Sequence, residues 1–171
     1  VNNDGYGSAF GVVARNTYGD VTVGNYGDIT VASGGQAAGI SASTYGGYFY
    51  FYYSGFGSYF NGDVIVVSDA ALSVTSDNAR ATGIFASSSL GSVLVGVDGS
   101  VDVSAYDRAF GVDARSNYGD VEIFNYADVN VTSTNYNAAG VRALSEYYDA
   151  TVFNTGDIDV QAAGLAQGIV A

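Results

Sequence analysis

Carboxylates are the side chains in this sequence that could do chemistry, because the chain contains no His, Cys or Lys. Asp102, Asp107 and Asp113 lie close together in the chain, and a pair of carboxylates facing a groove is what glycoside hydrolysis requires. Arg15 and Arg115 occupy equivalent outward places, where a solvated arginine beside an Asp contributes little. Since no long loop builds a cleft around the three aspartates, we expect that the protein is not an enzyme and has no catalytic residues.

Two further sets of aspartates recur at fixed places. The first set is Asp20, Asp63, Asp120 and Asp149, with Ser92 in the middle, and the second is Asp28, Asp128 and Asp157. Stacked exposed carboxylates repel each other by about 1 kcal/mol, which is tolerable if they accept hydrogen bonds from backbone N–H groups in turns. Bound Ca²⁺ would also relieve the repulsion, but the calcium-repeat motif GGxGxD is missing. We therefore expect turn capping and no cofactor, with Ca²⁺ at the first set as the weaker alternative.

These residues recur because the whole sequence repeats. A glycine-centred phrase appears as AFGVVA, AAGISA, ATGIFA, AFGVDA, AAGVRA and AQGIVA, with its glycines at Gly11, Gly39, Gly83, Gly111, Gly140 and Gly168. The steps between these glycines are 28, 44, 28, 29 and 28 residues. A fixed period of this size is typical of a stacked repeat architecture. The long step is one repeat carrying a sixteen-residue insertion.

One repeat contains three short runs in which apolar residues alternate with others, and each run is bounded by turn-forming residues. The pattern predicts an all-β fold: a right-handed, single-stranded parallel β-helix of five to six coils, each with three strands in about 28 residues. We expect one domain over residues 1–171. On the third strand, the predicted inward residues are Phe10, Val12 and Ala14 and their equivalents, so that Thr82 and Phe110 point inward like Phe10.

The insertion, residues 46–61, is uncharged and mostly Tyr and Phe. Residues 48–53 read as an aromatic strand, Ser54 and Gly55 as a turn, and the pair of strands as a protruding hairpin. The hairpin could cover its own rod, or it could form a contact surface for another molecule, since aromatic residues are enriched in interfaces. The candidate contact residues are Tyr48, Phe49, Tyr50, Phe51, Tyr52, Tyr53, Phe56, Tyr59 and Phe60.

Two side-chain ladders follow from the repeat. Tyr18, Tyr45, Tyr118 and Tyr147, with Leu90 in the middle coil, are predicted to stack along one edge. Asn25, Asn125 and Asn154 share another turn, where Ser68 and Val97 interrupt the row and the amides can bond adjacent coils. We interpret both ladders as structural.

The formal net charge of −12 excludes a nucleic-acid binder that neutralises phosphates and argues against a polybasic membrane surface. No apolar run is long enough to span a membrane as a helix, so we expect no membrane insertion by this segment. The chain starts without Met or a signal peptide, which we take as a mature product or a fragment.

The phrases GDITVAS (27–33) and AAGISA (37–42), repeated through 156–160 and 166–171, resemble passenger regions of bacterial autotransporters and filamentous-haemagglutinin-like surface proteins. The resemblance implies a β-solenoid at the bacterial cell surface or outside the cell, which adheres, aggregates or builds biofilm matrix. It implies no shared catalytic residues.

We therefore expect an extracellular structural protein whose partners are copies of itself, joined by strand-edge pairing and by the aromatic insertion. The alternative is an adhesin that binds a glycan or a cell surface through the same insertion.

Overall fold

The structure, a computed structural model, describes residues 1–50 and 57–171, and side chains are described outside residues 47–60. Within these ranges the secondary structure is all β, in short strands separated by turns. The strands are β1 (Asn2–Asn3), β2 (Ala9–Asn16), β3 (Val21–Asn25), β4 (Ile29–Ser33), β5 (Ala37–Thr44), β6 (Gly47–Tyr50), β7 (Gly57–Phe60), β8 (Val64–Ser68), β9 (Leu72–Ser76), β10 (Ala81–Ser88), β11 (Val93–Val97), β12 (Val101–Ala105), β13 (Ala109–Ser116), β14 (Val121–Asn125), β15 (Val129–Ser133), β16 (Ala138–Ser145), β17 (Ala150–Asn154), β18 (Ile158–Ala162) and β19 (Ala166–Val170).

The strands wind into a parallel β-solenoid of about five coils, which confirms the predicted three-strand coil. Sheet A has the strand order β1-β4-β9-β12-β15-β18, sheet B the order β2-β5-β10-β13-β16-β19, and sheet C the order β3-β8-β11-β14-β17. The chain passes through the sheets in the order C, A, B in each coil. Equivalent residues pair directly between coils, as Val93 does with Val121 and Val101 with Val129. The handedness of the coil stays a prediction.

The core runs along the axis of the solenoid. On sheets A and C alternate residues point inward, as the period-two pattern predicts. In β14, for example, Val121 and Ile123 are buried between exposed or half-buried neighbours. The inward Val, Ile and Leu side chains join one hydrophobic cluster with the inward alanines of sheet B. Because a single coil cannot bury its own apolar face, each coil depends on the coils above and below it.

The first residues of the sheet B strands differ from the expectation. Ala9, Ala81 and Ala109 join the core cluster, whereas Phe10, Thr82 and Phe110 do not. The alternation of inward and outward side chains shifts by one residue at the following glycine. Phe110 therefore lies on the outer face of sheet B, where it contacts Arg142. The predicted inward orientation of Phe10, Thr82 and Phe110 is therefore wrong, while Val12 and its equivalents do pack on the core.

A glycine is required where the alternation shifts, because the backbone there comes close to the next coil. A Cβ on Gly111 would lie 2.5 Å from the carbonyl oxygen of Gly140 and 2.5 Å from Cγ1 of Val129. Gly83 has the same surroundings, with Gly111 and Val101 in the equivalent places. Such distances are shorter than real Cβ contacts allow, so this position takes no larger residue without a shift of the backbone.

The insertion begins with the antiparallel hairpin that the sequence predicts, since β6 pairs with β7 and Tyr48 lies opposite Tyr59. Gly46, which opens the hairpin, has a φ of 58°, a left-handed conformation that favours glycine. Of the predicted aromatic strand 48–53, residues 51–53 lie outside the described residues, as does the predicted turn at Ser54 and Gly55. One of the sixteen extra residues lies instead in the turn 77–80, which is one residue longer than the turn 34–36.

The part of the chain that the structure describes contains no helix with the length and hydropathy needed to cross a membrane.

Candidate interaction faces

The recurring aspartates cap turns between coils. Oδ1 of Asp20 accepts a hydrogen bond from the backbone N–H of Asp63 at 3.0 Å, and Oδ1 of Asp63 accepts one from Ser92 at 2.8 Å. Asp120 caps Asp149 in the same way, at 3.2 Å. In the second set, Asp28 caps Ala71 and Asp128 caps Asp157. Among the described residues, no group of three or more His, Cys, Asp or Glu could hold a metal ion.

The asparagines form a buried ladder at the end of the sheet C strands. Asn25 donates to Oγ of Ser68 at 3.1 Å, and Asn125 donates to Oδ1 of Asn154 at 2.6 Å. Val97 stands between these two pairs in the register and offers no donor. As a result, Oδ1 of Asn125 is buried and has no hydrogen-bond partner.

The tyrosine row is partly as expected. The rings of Tyr118 and Tyr147 stack with centroids 4.7 Å apart and an angle of 9° between planes. The charge of Glu146 and then the neighbouring Tyr118 raise the pKa of Tyr147. Tyr45, however, follows Thr44, which pairs with Asn16, so it lies opposite Thr17 and not opposite Tyr18. Its placement in the row is wrong because the insertion starts before the turn has reached that position.

An open depression adjoins the stacked tyrosines. It has a volume of about 540 Å³ and is lined by Asn61, Leu90, Tyr118 and Tyr148. Tyr118 and Tyr148 are both more than half exposed. This part of the molecule therefore offers an aromatic surface to solvent beside the point where the insertion returns to the solenoid.

Only some of the predicted contact residues of the insertion lie within the described residues. The backbone of Tyr48, Phe49, Tyr50, Tyr59 and Phe60 belongs to the hairpin. Phe51, Tyr52, Tyr53 and Phe56 lie outside the described residues. The role of the insertion as a contact surface stays a prediction.

The three aspartates considered for catalysis are on different faces. Asp102 lies on sheet A, exposed, and accepts a hydrogen bond from Asn130 at 2.8 Å. Asp107 lies in the turn before sheet B, and Asp113 lies on sheet B. The fold therefore does not bring these three carboxylates together in one groove.

Asp113 is instead held in an ionic clamp. It is 1% exposed although it points outward, and two arginines cover it. Arg115 donates from Nε and Nη2 to its two oxygens at 2.9 and 2.7 Å. Arg142 makes the same pair of bonds from the next coil, also at 2.9 and 2.7 Å. The guanidinium of Arg142 also lies 4.1 Å from the centre of the Phe110 ring.

The clamp controls the protonation of its members. Burial by itself raises the pKa of Asp113, but the hydrogen bonds and charges of the two arginines outweigh it and leave this pKa below its usual value. The hydrogen bond to Asp113 raises the pKa of Arg115. The sequence predicts that Arg115 forms a solvated ion pair with an Asp, which contributes little. It does not predict that Arg142 also binds Asp113. The signal was present, because Asp113 and Arg142 each follow the repeat glycine by two residues.

Charge is segregated around the solenoid. All five basic residues lie on sheet B or directly before its strands: Arg15, Arg80, Arg108, Arg115 and Arg142. Most acidic residues lie on sheet C or in the turns at its two ends: Asp20, Asp28, Asp63, Asp69, Asp98, Asp120, Glu122, Asp128, Glu146, Asp149 and Asp157. Sheet B and the turns before its strands also hold Asp4, Asp77, Asp107 and Asp113, so this face is close to neutral on a molecule that is otherwise acidic.

Sheet B also carries a small cavity, which we call the sheet B pocket. Its volume is about 160 Å³, and it is lined by Phe10, Arg15, Gln36, Ala37, Ala38, Ser41, Arg80, Thr82 and Phe85. The small residues Ala38 and Ser41 of β5 form its floor, since the same two positions hold larger side chains on the two neighbouring coils. Two cations and two phenyl rings therefore surround a floor of small side chains.

No protein-family model, no curated protein and no solved structure matches this chain. The β-solenoid fold follows from the chain's own strands and register. The relation to autotransporter passengers and filamentous-haemagglutinin-like proteins stays a hypothesis based on the pattern of the repeats.

Proposed function

We propose that this protein is an extracellular structural β-solenoid that associates with copies of itself into a filament or matrix fibre. The observation that carries the proposal is that each coil buries its core only against the coils beside it, as the last coil of this sequence illustrates. Ile158 and Val160 in β18 are half-buried, whereas their partners in β15, Val129 and Val131, are 0% and 1% exposed. A further coil in the same register, from this chain or from a copy of it, would bury these side chains.

The strand edges support the same proposal. In the interior, the N–H of Val129 donates to the carbonyl oxygen of Asp157 in the next coil, at 2.9 Å. By register, Ile158 presents the equivalent N–H at the outer edge of sheet A. An edge with unpaired backbone groups and an apolar side is a template for another strand. A copy of the chain supplies strands of matching length and spacing.

Aromatic burial is the proposed second contact. The insertion 46–61 and the exposed row at Tyr118 and Tyr147 would supply apolar area along the side of the rod. The resemblance of the repeats to passenger regions supports a place at the bacterial cell surface or in a biofilm matrix. In this proposal the protein acts as a scaffold and carries no catalytic centre.

The end contact is tested by placing a charge on it. Val160→Lys puts an ammonium group at the exposed end of the core, where a stacked coil would have to bury it. We expect the variant to stay monomeric in sedimentation velocity and to form no fibres in electron micrographs. Gln161→Lys adds the same charge on the outer face one residue away and should assemble like the parent. Fibres of normal length from Val160→Lys would contradict end-to-end stacking.

The alternative function, an adhesin that binds a glycan or a cell surface through the insertion, is favoured by the depression beside Tyr118 and Tyr148, which borders the insertion at Asn61. Exposed aromatic rings offer flat apolar faces next to polar groups, as a sugar-binding surface does. Deleting residues 46–61 separates the two functions. A filament subunit should then fail to assemble or change its lateral packing, whereas a glycan adhesin should keep its assembly state and lose only binding.

A further inference from the structure

The arginines of sheet B fall into two classes. Arg115 and Arg142 both form ion pairs with Asp113. Arg15, Arg80 and Arg108 form no ion pair with any carboxylate in the described ranges 1–50 and 57–171, and all three are exposed. In a chain with 17 acidic residues and 5 basic ones, three unpaired cations on one face are unexpected.

Two of these cations are held next to each other by the register. The backbone N–H of Ala81 donates to the carbonyl of Arg108, and that of Ala37 donates to the carbonyl of Arg80. Arg80 and Arg108 are therefore stacked in adjacent coils, about 5 Å apart along the axis. Their two positive charges add at this edge of sheet B, and an anion bound beside them would reduce their repulsion.

The clamp, whose Arg115 lies three coils from Arg15, shows how this sheet holds a carboxylate. Arg115 and Arg15 occupy the same row, and so do Asp113, Phe85 and Ser41. In the clamp, a carboxylate stands two residues before the arginine and receives bonds from a second arginine on the neighbouring coil. Beside Arg15 the equivalent residue is Val13, and Ser41 on the neighbouring coil is short, so the chain itself brings no carboxylate there.

The sheet B pocket lies at this place. Arg15 and Arg80 both line it, the rings of Phe10 and Phe85 form walls, and Ser41, Thr82 and Gln36 supply hydroxyl and amide groups. Arg is suited to carboxylates because its planar fork donates two parallel hydrogen bonds. Phenyl rings and short polar side chains suit the C–H faces and hydroxyl groups of a sugar ring.

We propose that the sheet B pocket binds a uronic acid residue, with its carboxylate between Arg15 and Arg80 and its ring between Phe10 and Phe85. The ligand class is therefore an acidic saccharide. A carboxylate side chain of a peptide or of a second copy would use the arginines but would leave the phenyl walls and the hydroxyl groups without partners. Phe10 and Arg15 lie on β2, the edge strand of sheet B, so a copy stacked on that edge would adjoin the pocket, but the ligand contacts themselves require no second copy.

The test is a calorimetric titration of the whole chain in low salt with three matched probes: trigalacturonate, neutral galactotriose and triglutamate. We expect binding of trigalacturonate, with no measurable binding of galactotriose and at least about tenfold weaker binding of triglutamate. Arg15→Gln and Arg80→Gln should each weaken trigalacturonate binding by about tenfold or more, as expected for a charged hydrogen bond. Arg108→Gln removes the same charge outside the pocket and should weaken binding less than about threefold.

Several results would overturn the proposal. Absence of trigalacturonate binding would remove the site, and unchanged binding by Arg15→Gln and Arg80→Gln would move it elsewhere. Equal losses in all three variants would reduce it to a general charge effect. Equal affinity for triglutamate would replace the saccharide by any carboxylate. Circular dichroism of each variant checks the fold, and sedimentation checks assembly, so that failure here is distinct from failure of the self-association proposal.

Discussion

Asp113 is the most constrained charge among the side chains described. It makes four charge-assisted hydrogen bonds and is almost completely buried. Burying a pair of charges is not by itself stabilising, but removing one partner leaves the other uncompensated. Breaking the clamp is therefore expected to destabilise the protein even if forming it adds little stability. The clamp also links the register of β13 to that of β16.

Asp113→Asn tests the clamp. We expect the free energy of unfolding at pH 7 to fall by about 2 kcal/mol, since Arg115 and Arg142 lose their counter-charge. Urea denaturation followed by circular dichroism measures the change. Asp102→Asn is the matched control, because Asp102 is exposed and accepts its bond from a neutral amide, and its effect should stay within about 0.5 kcal/mol.

The pH dependence of the same variant follows from the lowered pKa of Asp113. A carboxyl with a lowered pKa in the folded state stabilises fully above its unfolded pKa of about 3.9, and this contribution is lost as the pH falls through the folded value. The difference between parent and Asp113→Asn should therefore be constant above about pH 5 and shrink below about pH 4. A difference that grows on acidification would show that the pKa is raised instead.

The asparagine ladder makes a second prediction at this scale. Val97→Asn places a donor beside the unpartnered Oδ1 of Asn125 and continues the row toward Ser68. Val95→Asn introduces the same change on the same strand with no polar partner in either neighbour, Val66 or Ile123. Since a buried amide without hydrogen bonds costs about 1–3 kcal/mol, Val95→Asn should be the less stable variant by about 2 kcal/mol. Equal midpoints of urea denaturation would contradict this.

At the scale of the strands, the close approach at the repeat glycine sets the shape of each coil. Gly111→Ala should destabilise the protein by about 2–3 kcal/mol, because its Cβ would meet the Gly140 carbonyl oxygen and Val129 in a packed core. On β11, a Cβ at Gly96 would have its nearest neighbour, Val67, at 3.9 Å. Gly96→Ala should therefore be neutral or slightly stabilising. Thermal denaturation of the two variants provides the comparison.

The strands and their order were predictable because each coil repeats the same alternation. The inward Val and Ile residues of sheets A and C, such as Val121 and Ile123, follow directly from a period of two. The orientation of Phe110 does not follow from this period. Gly111 shifts the alternation by one residue, and because Phe110 is apolar, the sequence predicts that it points inward. Pairing Asp113 with Arg142 requires aligning successive repeats at Gly111 and Gly140, because the local sequence around Asp113 shows only Arg115 as a partner.

At the scale of the whole molecule, the distribution of charge governs association. Like charge on every copy opposes assembly at low ionic strength, and salt screens it. We expect fibre formation, measured by light scattering, to accelerate when NaCl is raised from about 20 to about 200 mM, where the Debye length falls below about 10 Å. Slower association in salt would show that attraction between the exposed arginines of sheet B and acidic faces of other copies dominates.

The direct pairing of equivalent residues between neighbouring coils has a consequence for the length of the molecule. Each coil meets only the coil before and the coil after it, so one whole period can be removed while the two faces that then meet still match. Joining Gly91 to Asp120 would excise one such period, since Ser92 and Asp120 occupy the same row. The rod would shorten by one strand spacing of about 4.8 Å, and the clamp on Asp113, which lies within the excised residues, would be lost with that coil.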